Sequence, residues 1–204
     1  MKREKAQQFR AMRGFSMLEL IIVVAIILVV SAFALPRIQT GIAQARLRGN
    51  ATSMNGLVQQ LRMQAVKANR SYTMRITAAA GNQPAFLYID TDNSSTFDPG
   101  EPSVPIPSDI TITDGAGSPA ALPPSVGFPK YINFATKGLL SFNERGLPCS
   151  NPPAAPACGV VNPYIIYISM NRPFAVPIWA AVTVTPAGRV KAYTFTGGAT
   201  GVWN

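Results

Sequence analysis

The first third of the chain is patterned as one long helix. Residues 20–30 contain no polar side chain, and residues 15–35 carry a single charge, that of Glu19. Because a helix rises about 1.5 Å per residue, this run would span about 30 Å, the thickness of the hydrocarbon core of a bilayer. The pattern therefore predicts a membrane-spanning helix.

The residues ahead of the apolar run are basic. Residues 1–14 hold one acid, Glu4, against five cations, which are Lys2, Arg3, Lys5, Arg10 and Arg13. Positive charge beside a membrane segment keeps that end of the chain in the cytoplasm. We therefore expect a cytoplasmic leader and export of everything that follows the helix.

Glu19 is the exception within the apolar run. A carboxylate inside a membrane segment costs about 2–3 kcal/mol or more unless it is paired, and such residues are usually functional. Glu19 is therefore a candidate functional residue, with an opposite charge expected as its partner.

A helical pattern continues to about residue 70. Pro36 lacks an N–H, which predicts a kink or a local loosening there. An apolar stripe follows at spacings of 3 and 4 residues, and it needs a sheet to cover it. Its predicted members are Ile42, Ala45, Met54, Leu57, Leu61, Ala65 and Ala68.

The opposite face of this second half is cationic. It carries Arg46, Arg48, Arg62, Lys67 and Arg70, with no acid between Glu19 and Asp90. A solvated helix face is the ordinary interpretation. The alternative is contact with anionic lipid headgroups or with acidic neighbouring subunits.

Short β-like runs replace the helical pattern after residue 70. They cover residues 72–77, 85–90, 131–134, 139–142, 164–170, 178–185 and 189–195. Eight prolines in residues 99–129 and five in residues 148–163 mark loops, because proline removes a ladder donor. We expect these loops to be insertions, and the helix and an antiparallel sheet to form one α+β domain.

The start of the apolar run resembles that of type IV pilins and pseudopilins. Gly14, Phe15 and Glu19 match the family's leader end, first mature residue and fifth mature residue, and Pro36 matches a proline common in these helices. The resemblance implies that a prepilin peptidase cuts between Gly14 and Phe15 and methylates the new amine. It also implies assembly with other pilins, with Glu19 paired to the Phe15 amine of a neighbour.

The resemblance also implies an organisation for the whole chain. Residues 1–14 are the leader, 15–35 the transmembrane half of the helix, 36–70 its amphipathic half, and 71–204 a periplasmic β-rich domain with the pilin fold. The protein is then expected in the inner membrane, in contact with its lipid, and later in the filament.

Two other interpretations of the N-terminus compete. Ala32-Phe33-Ala34 could be the A-x-A site of an ordinary signal peptide, with cleavage before Leu35. A plain signal anchor is the second alternative. Neither of them explains a glutamate one turn into the apolar helix.

Later segments are similar to GspH/FimT-type minor pseudopilins. The helix end at residues 61–70 and the strand at 72–76 carry this likeness, together with Ile132-Asn133-Phe134, Gly138, Val182-Thr183-Val184 and Gly188-Arg189-Val190. The class implies a structural subunit of a type II secretion pseudopilus or of a type IV pilus.

An acidic segment at residues 90–101 is a candidate calcium site. Asp90, Asp92, Ser94, Asp98 and Glu101 fall at positions 1, 3, 5, 9 and 12, where oxygens can wrap the ion. Position 6 is not the glycine that the EF-hand loop requires, and no second helix follows. The alternative is a hairpin turn whose side chains bond their own backbone.

Cys149 and Cys158 are expected to form a disulfide, since export favours oxidation. The bond would close a short, proline-rich loop and stabilise it by about 2–3 kcal/mol. Free thiols in a reducing compartment are the alternative.

The sequence disfavours an enzyme. It has no histidine, which removes Ser-His-Asp triads, Cys-His pairs and His-ligated zinc sites. The net charge of +9 falls to +5 (13 cations and 8 acids) without the leader, an excess that is compatible with a polyanion partner but too small to indicate one by itself.

DNA binding is the alternative to a purely structural role. Gly188-Arg189-Val190-Lys191 resembles the GRxR motif of FimT-like pilins that take up DNA, with Lys191 in place of the second arginine. In an extended segment Arg189 and Lys191 point to the same side, which suits phosphate contact.

Overall fold

One helix of 52 residues dominates the chain in the computed structural model, which describes residues 15–81, 83–115, 132–149, 161–172, 175–196 and 201–204. The helix α1 spans Met17–Ala68 and is continuous across Pro36. It ends where Asn69 takes a φ of 49° and the Arg70 N–H donates to Ala65 O at 3.2 Å, a common way to close a helix.

The strands form two antiparallel layers. The first sheet has the order β3-β2-β1-β6-β7, and the second has the order β11-β10-β9-β8-β4, with β5 parallel to β8. The first sheet contains β1 (Tyr72–Thr77), β2 (Phe86–Asp90), β3 (Ser103–Pro105), β6 (Leu139–Phe142) and β7 (Pro148–Cys149). The second contains β4 (Ile110–Thr113), β5 (Ile132–Asn133), β8 (Tyr164–Arg172), β9 (Ala175–Val184), β10 (Val190–Thr196) and β11 (Val202–Trp203).

The chain divides into two compact units, Met1–Ile42 and Ala43–Asn204. In the second unit, the helix and both sheets share one apolar core. From the helix this core takes Leu47, Ala51, Met54, Leu57, Val58, Leu61 and Ala65, and from the sheets such residues as Met74, Leu140 and Ile166. The prediction of an α+β fold, with the second half of the helix packed on an antiparallel sheet, is confirmed.

The predicted apolar stripe is only partly correct. Met54, Leu57, Leu61 and Ala65 are buried, as expected. The outer members of the prediction, Ile42, Ala45 and Ala68, are exposed, whereas Leu47, Ala51 and Val58 were missed. Spacings of 3 and 4 residues fit more than one choice of face, and only the packed sheets select the face that begins at Leu47.

The proline-rich segment at residues 99–129 is not purely an insertion. It supplies β3 and β4, and both lie at the edge of their sheet. β7 begins with Pro148 and is also an edge strand. Proline is tolerated at edges because the missing donor faces away from the ladder, so the prediction was wrong about strand formation but right that these strands are not central.

The predicted strand at 131–134 is shorter than expected. After Ile132–Asn133 the chain forms a single helical turn, α2 (Phe134–Lys137). Asn133 caps this turn by accepting from the Ala135 N–H at 3.0 Å, and Gly138 ends it with a φ of 68°. The Asn133 side chain satisfies a free backbone donor of this turn, so it stabilises a helical turn where the strand would otherwise continue.

Candidate functional site

Glu19 lies in the first turn of α1. Phe15 and Ser16 precede the helix, and the Leu20 N–H donates to Ser16 O at 3.1 Å. The backbone N–H groups of a first turn carry a partial positive charge, which favours a carboxylate there. Glu19 therefore lies in the first helical turn, and Phe15 lies just ahead of that turn.

The large apolar side chains in the first half of α1 are exposed. Its large side chains from Phe15 to Ile38 have no cover within the described chain, and the helix is long and apolar enough to cross a membrane. Exposed apolar surface of this extent marks contact with a membrane or another protein. This segment is the main candidate for the functional surface.

Glu19 has no ion pair within the ranges that the structure describes, where the two salt bridges are Arg46–Asp109 and Arg75–Asp90. Gly14, the other half of the expected processing step, lies outside the described residues. The assignment of Gly14, Phe15 and Glu19 to processing and assembly stays a prediction.

Four of the five cations on the second half of the helix contact the globular part. Arg46 lies 3.9 Å from Asp109, Arg48 donates to Thr194 Oγ1 at 3.4 Å, and Arg62 Nε donates to Gly146 O at 3.1 Å. Arg70 donates to Thr91 O, and its guanidinium lies 4.6 Å from the centre of the Tyr72 ring. The cationic face is therefore not only a solvated face, since it also holds the helix to loops and strands.

The acidic turn, residues 90–101, brings three of its carboxylates together. Ligand oxygens of Asp90, Asp92 and Glu101 all lie within 4.8 Å of one another. Asp90 and Glu101 are buried, whereas Asp92 is exposed. Asp98, which the sequence also suggested, does not join this group, and its Oδ2 accepts from Ser94 Oγ at 3.1 Å.

Hydrogen bonds shape the acidic turn. Glu101 Oε1 accepts from the Thr91 N–H at 2.6 Å, and Glu101 Oε2 accepts from the Asp98 N–H at 3.1 Å. The Ser94 N–H donates to Asp92 Oδ1 at 2.9 Å, and this bond lowers the pKa of the Asp92 carboxyl below its usual value. Asp92 is therefore an anion at neutral pH.

Position 6 of the acidic turn takes the backbone conformation that a glycine would favour. Ser95 has a φ of 67°, although it has a side chain. Its N–H donates to Asp90 Oδ2 at 3.1 Å, and the Tyr88 hydroxyl donates to its carbonyl at 3.1 Å. These two bonds hold Ser95 in a conformation that the sequence argued against, because serine replaces the expected glycine at this position.

The two cysteines divide between the described and undescribed parts of the chain. Cys149 is buried on β7 and is not a free thiol. Its carbonyl accepts from the hydroxyl of Tyr164, whose pKa is raised by burial. Cys158 lies outside the described residues, so the disulfide stays a prediction.

Arg189 immediately precedes β10 and Lys191 is its second residue, and both are exposed. The Lys191 Nζ is 4.6 Å from the centre of the Tyr193 ring. Gly188, the first residue of the same motif, is buried in the β9–β10 turn with a φ of 76°, against Gly146 and Arg62. The glycine thus has a structural role, while the two cations remain available to a ligand.

The sequence analysis missed a second apolar cluster on the other face of the second sheet. The outer cluster consists of Ile165, Tyr167, Trp179, Ala181, Tyr193 and Trp203, with Phe195 packed against it. Because β8 is buried on both faces, its run of apolar residues hides the alternation that would have revealed the cluster. The short β11, which supplies Trp203, carries no sequence signal of a strand.

Comparison with known proteins bears on the N-terminus. Residues 9–35 match the family model of the prokaryotic N-terminal methylation motif. No curated protein matches the chain, and neither does any solved structure.

The motif and the fold together fit a protein that is anchored in a membrane through its N-terminal helix. The chain carries the N-terminal signature of type IV pilins and pseudopilins on a pilin-like fold, in which the second half of the long helix packs on antiparallel sheets. This motif implies processing by a prepilin peptidase and assembly with other pilins.

Proposed function

We propose that this protein is a minor pseudopilin or pilin of the GspH/FimT type. It is a structural subunit of a type II secretion pseudopilus or of a type IV pilus. The helix anchors it in the inner membrane with residues 71–204 in the periplasm, and then carries it into the filament. The observation that carries this proposal is the uncovered apolar half of α1, which follows the methylation motif and has Glu19 in its first turn.

An assembly role explains why this helix half has no cover of its own. Apolar side chains lose water when a neighbouring subunit packs against them, as they do in lipid, so one surface serves both the membrane and the filament. A signal peptide cut before Leu35 would instead divide a helix that runs on to Ala68. The continuity of the helix therefore favours processing ahead of Phe15.

The mature N-terminus tests this proposal. We expect the intact mass of the exported protein to correspond to a chain that begins at Phe15 and carries one methyl group on its amine. The measurement is mass spectrometry of the protein extracted from membranes, with the precursor made without a prepilin peptidase as the control. A mature chain that begins at Leu35, or one that keeps Met1, would contradict the pilin role.

DNA capture is a second candidate function, which Arg189 and Lys191 support. Both cations are exposed, whereas Tyr193 beside Lys191 is buried and offers no ring on which a base could stack. Two cations on one strand suit phosphate contact, which is independent of DNA sequence. Lysine binds phosphate as a point charge and lacks the bidentate fork of arginine, so weak binding is expected.

The salt dependence of binding tests the DNA candidate. The mature chain in neutral detergent should bind duplex DNA weakly, with an affinity that falls by about one log unit per log unit of salt for each phosphate neutralised. Replacing Arg189 and Lys191 by alanine should reduce this slope by about two and remove most binding. The matched control replaces Lys67 and Arg145, which are exposed elsewhere. If both double variants lost DNA affinity equally, binding would depend on net charge alone, and Arg189 and Lys191 would not form a specific site.

A further inference from the structure

The acidic turn contains a buried oxygen that has no hydrogen-bond partner in the described part of the chain. Asp90 is fully buried, and its Oδ2 accepts from Arg75 Nε at 2.8 Å and from the Ser95 N–H. Its Oδ1 is buried as well, yet no donor among the described residues forms a hydrogen bond with it. A buried carboxylate oxygen without a hydrogen bond carries a desolvation penalty, which a bound ion would remove.

The three carboxylates of the acidic turn carry more negative charge than the arginine paired with them neutralises. Asp90, Asp92 and Glu101 bring three carboxylates within 4.8 Å, and Arg75 on Asp90 is the cation paired with them in the described chain. Like charges this close repel one another, the more so because two of the three side chains are buried. Three anions and one cation leave a deficit of two positive charges, which a divalent cation would supply.

The kind of ion follows from the ligand atoms. The group offers oxygen only, and the sequence contains no histidine. Carboxylate and hydroxyl oxygens suit the hard cations calcium and magnesium, whereas zinc favours nitrogen and sulfur. Calcium accepts six to eight ligands in flexible geometry, while magnesium requires a near-ideal octahedron and retains its water. The three carboxylates come from separate positions of an irregular turn, and such a ligand set suits the flexible coordination of calcium better than the strict octahedron of magnesium.

We propose that the acidic turn binds one calcium ion through the carboxylates of Asp90, Asp92 and Glu101. The ion would join the end of β2, at Asp90, to the segment that leads into β3, since Glu101 lies two residues ahead of Ser103. Arg70 donates to Thr91 O in the same turn, so binding also rigidifies the site where the end of α1 meets the first sheet. The site depends on none of the features that carry the pilin assignment.

A direct titration tests the calcium site. The mature chain in neutral detergent, freed of metal by a chelator, should bind one calcium per chain in isothermal titration calorimetry. We expect an affinity in the range of extracellular calcium modules, about 10⁻⁴–10⁻³ M, and much weaker binding of magnesium. Calcium should also raise the Tm of the protein in proportion to the logarithm of its concentration above that affinity. An absence of saturable calcium binding would overturn the proposal, as would equal affinity for magnesium.

Asp92→Asn is the decisive variant. Asp92 is exposed, and asparagine keeps an oxygen that can accept the Ser94 N–H, so the turn keeps its shape while one ligand charge is lost. We expect the calcium affinity to fall at least about tenfold, because ligand charge sets affinity in such loops. Unchanged affinity in this variant would reject the site.

Two further variants make the result specific. Glu144→Gln removes one exposed negative charge outside the turn, and calcium affinity should be unchanged. Asp98→Asn removes a carboxylate from the turn that lies outside the group of three, and it should weaken binding less than Asp92→Asn. Equal losses at Asp92 and Glu144 would indicate binding by net charge alone and overturn the proposal, and a larger loss at Asp98 would overturn the proposed ligand set.

Discussion

Gly188→Ala should destabilise the protein by about 2–5 kcal/mol. Gly188 has a φ of 76°, where a side chain costs about 1–2 kcal/mol. A Cβ there would also overlap the carbonyl oxygen of Gly146 and lie 3.0 Å from Arg62 Nε. Overpacking of this kind costs about 1–3 kcal/mol, and backbone cannot yield as the tip of a flexible side chain can.

The chain offers a matched control for this prediction. Gly138 has a φ of 68°, but a Cβ added there meets no atom within 4 Å. Gly138→Ala should therefore cost only the conformational part, about 1–2 kcal/mol. Denaturant unfolding followed by the fluorescence of Trp179 and Trp203 measures both variants. Equal destabilisation by the two substitutions would contradict the close contact between Gly188 and the carbonyl oxygen of Gly146.

That contact joins three parts of the second unit. The turn that contains Gly146 follows β6 in the first sheet, and the turn that contains Gly188 links β9 to β10 in the second. Arg62 of α1 donates to Gly146 O, so one arginine lies where both turns meet the helix. No local pattern could have predicted this, because the three residues are far apart in the sequence and each is ordinary by itself.

Local chemistry did predict most of the elements. The strand expected at 72–77 is β1 with the same bounds, and the strand at 139–142 is β6. These strands have strong signals, since β-branched and apolar residues lie between polar turns. The helix was expected to end near residue 70 and ends at Ala68, where Asn69 can adopt the left-handed conformation.

What the sequence could not predict depends on tertiary pairing. The strands β3, β4, β7 and β11 are two to four residues long, and each lies at the edge of a sheet where a neighbouring strand supplies the ladder. The conformation of the acidic turn was equally unpredictable. Serine at position 95 argued against a left-handed backbone there, but hydrogen bonds with Tyr88 and Asp90 hold it in that conformation. The offsets of the acids were informative, but only the fold separates Asp98 from Asp90, Asp92 and Glu101.

Glu19→Ala should abolish incorporation of the protein into the filament while leaving its processing intact. The carboxylate costs about 2–3 kcal/mol in a bilayer, so alanine makes membrane insertion easier. In the proposed assembly, Glu19 meets the Phe15 amine of an adjacent subunit in apolar surroundings. Removing one partner of a buried ion pair costs about 3–5 kcal/mol, because the other charge is left uncompensated. We therefore expect co-purification with the other pilins to fall at least about 100-fold.

The variants that test Glu19 must separate the pair from simple loss of charge. Glu144→Gln removes an exposed negative charge from the globular part and should incorporate normally. Glu19→Gln keeps the length and hydrogen-bonding oxygen of the side chain but not its charge, so it should fail almost as completely as alanine if the amine is the partner. The intact mass of each variant shows whether it still begins at Phe15, which excludes a defect in processing. Normal filament incorporation of Glu19→Gln would refute the ion pair, because an uncharged amide cannot neutralise a buried amine.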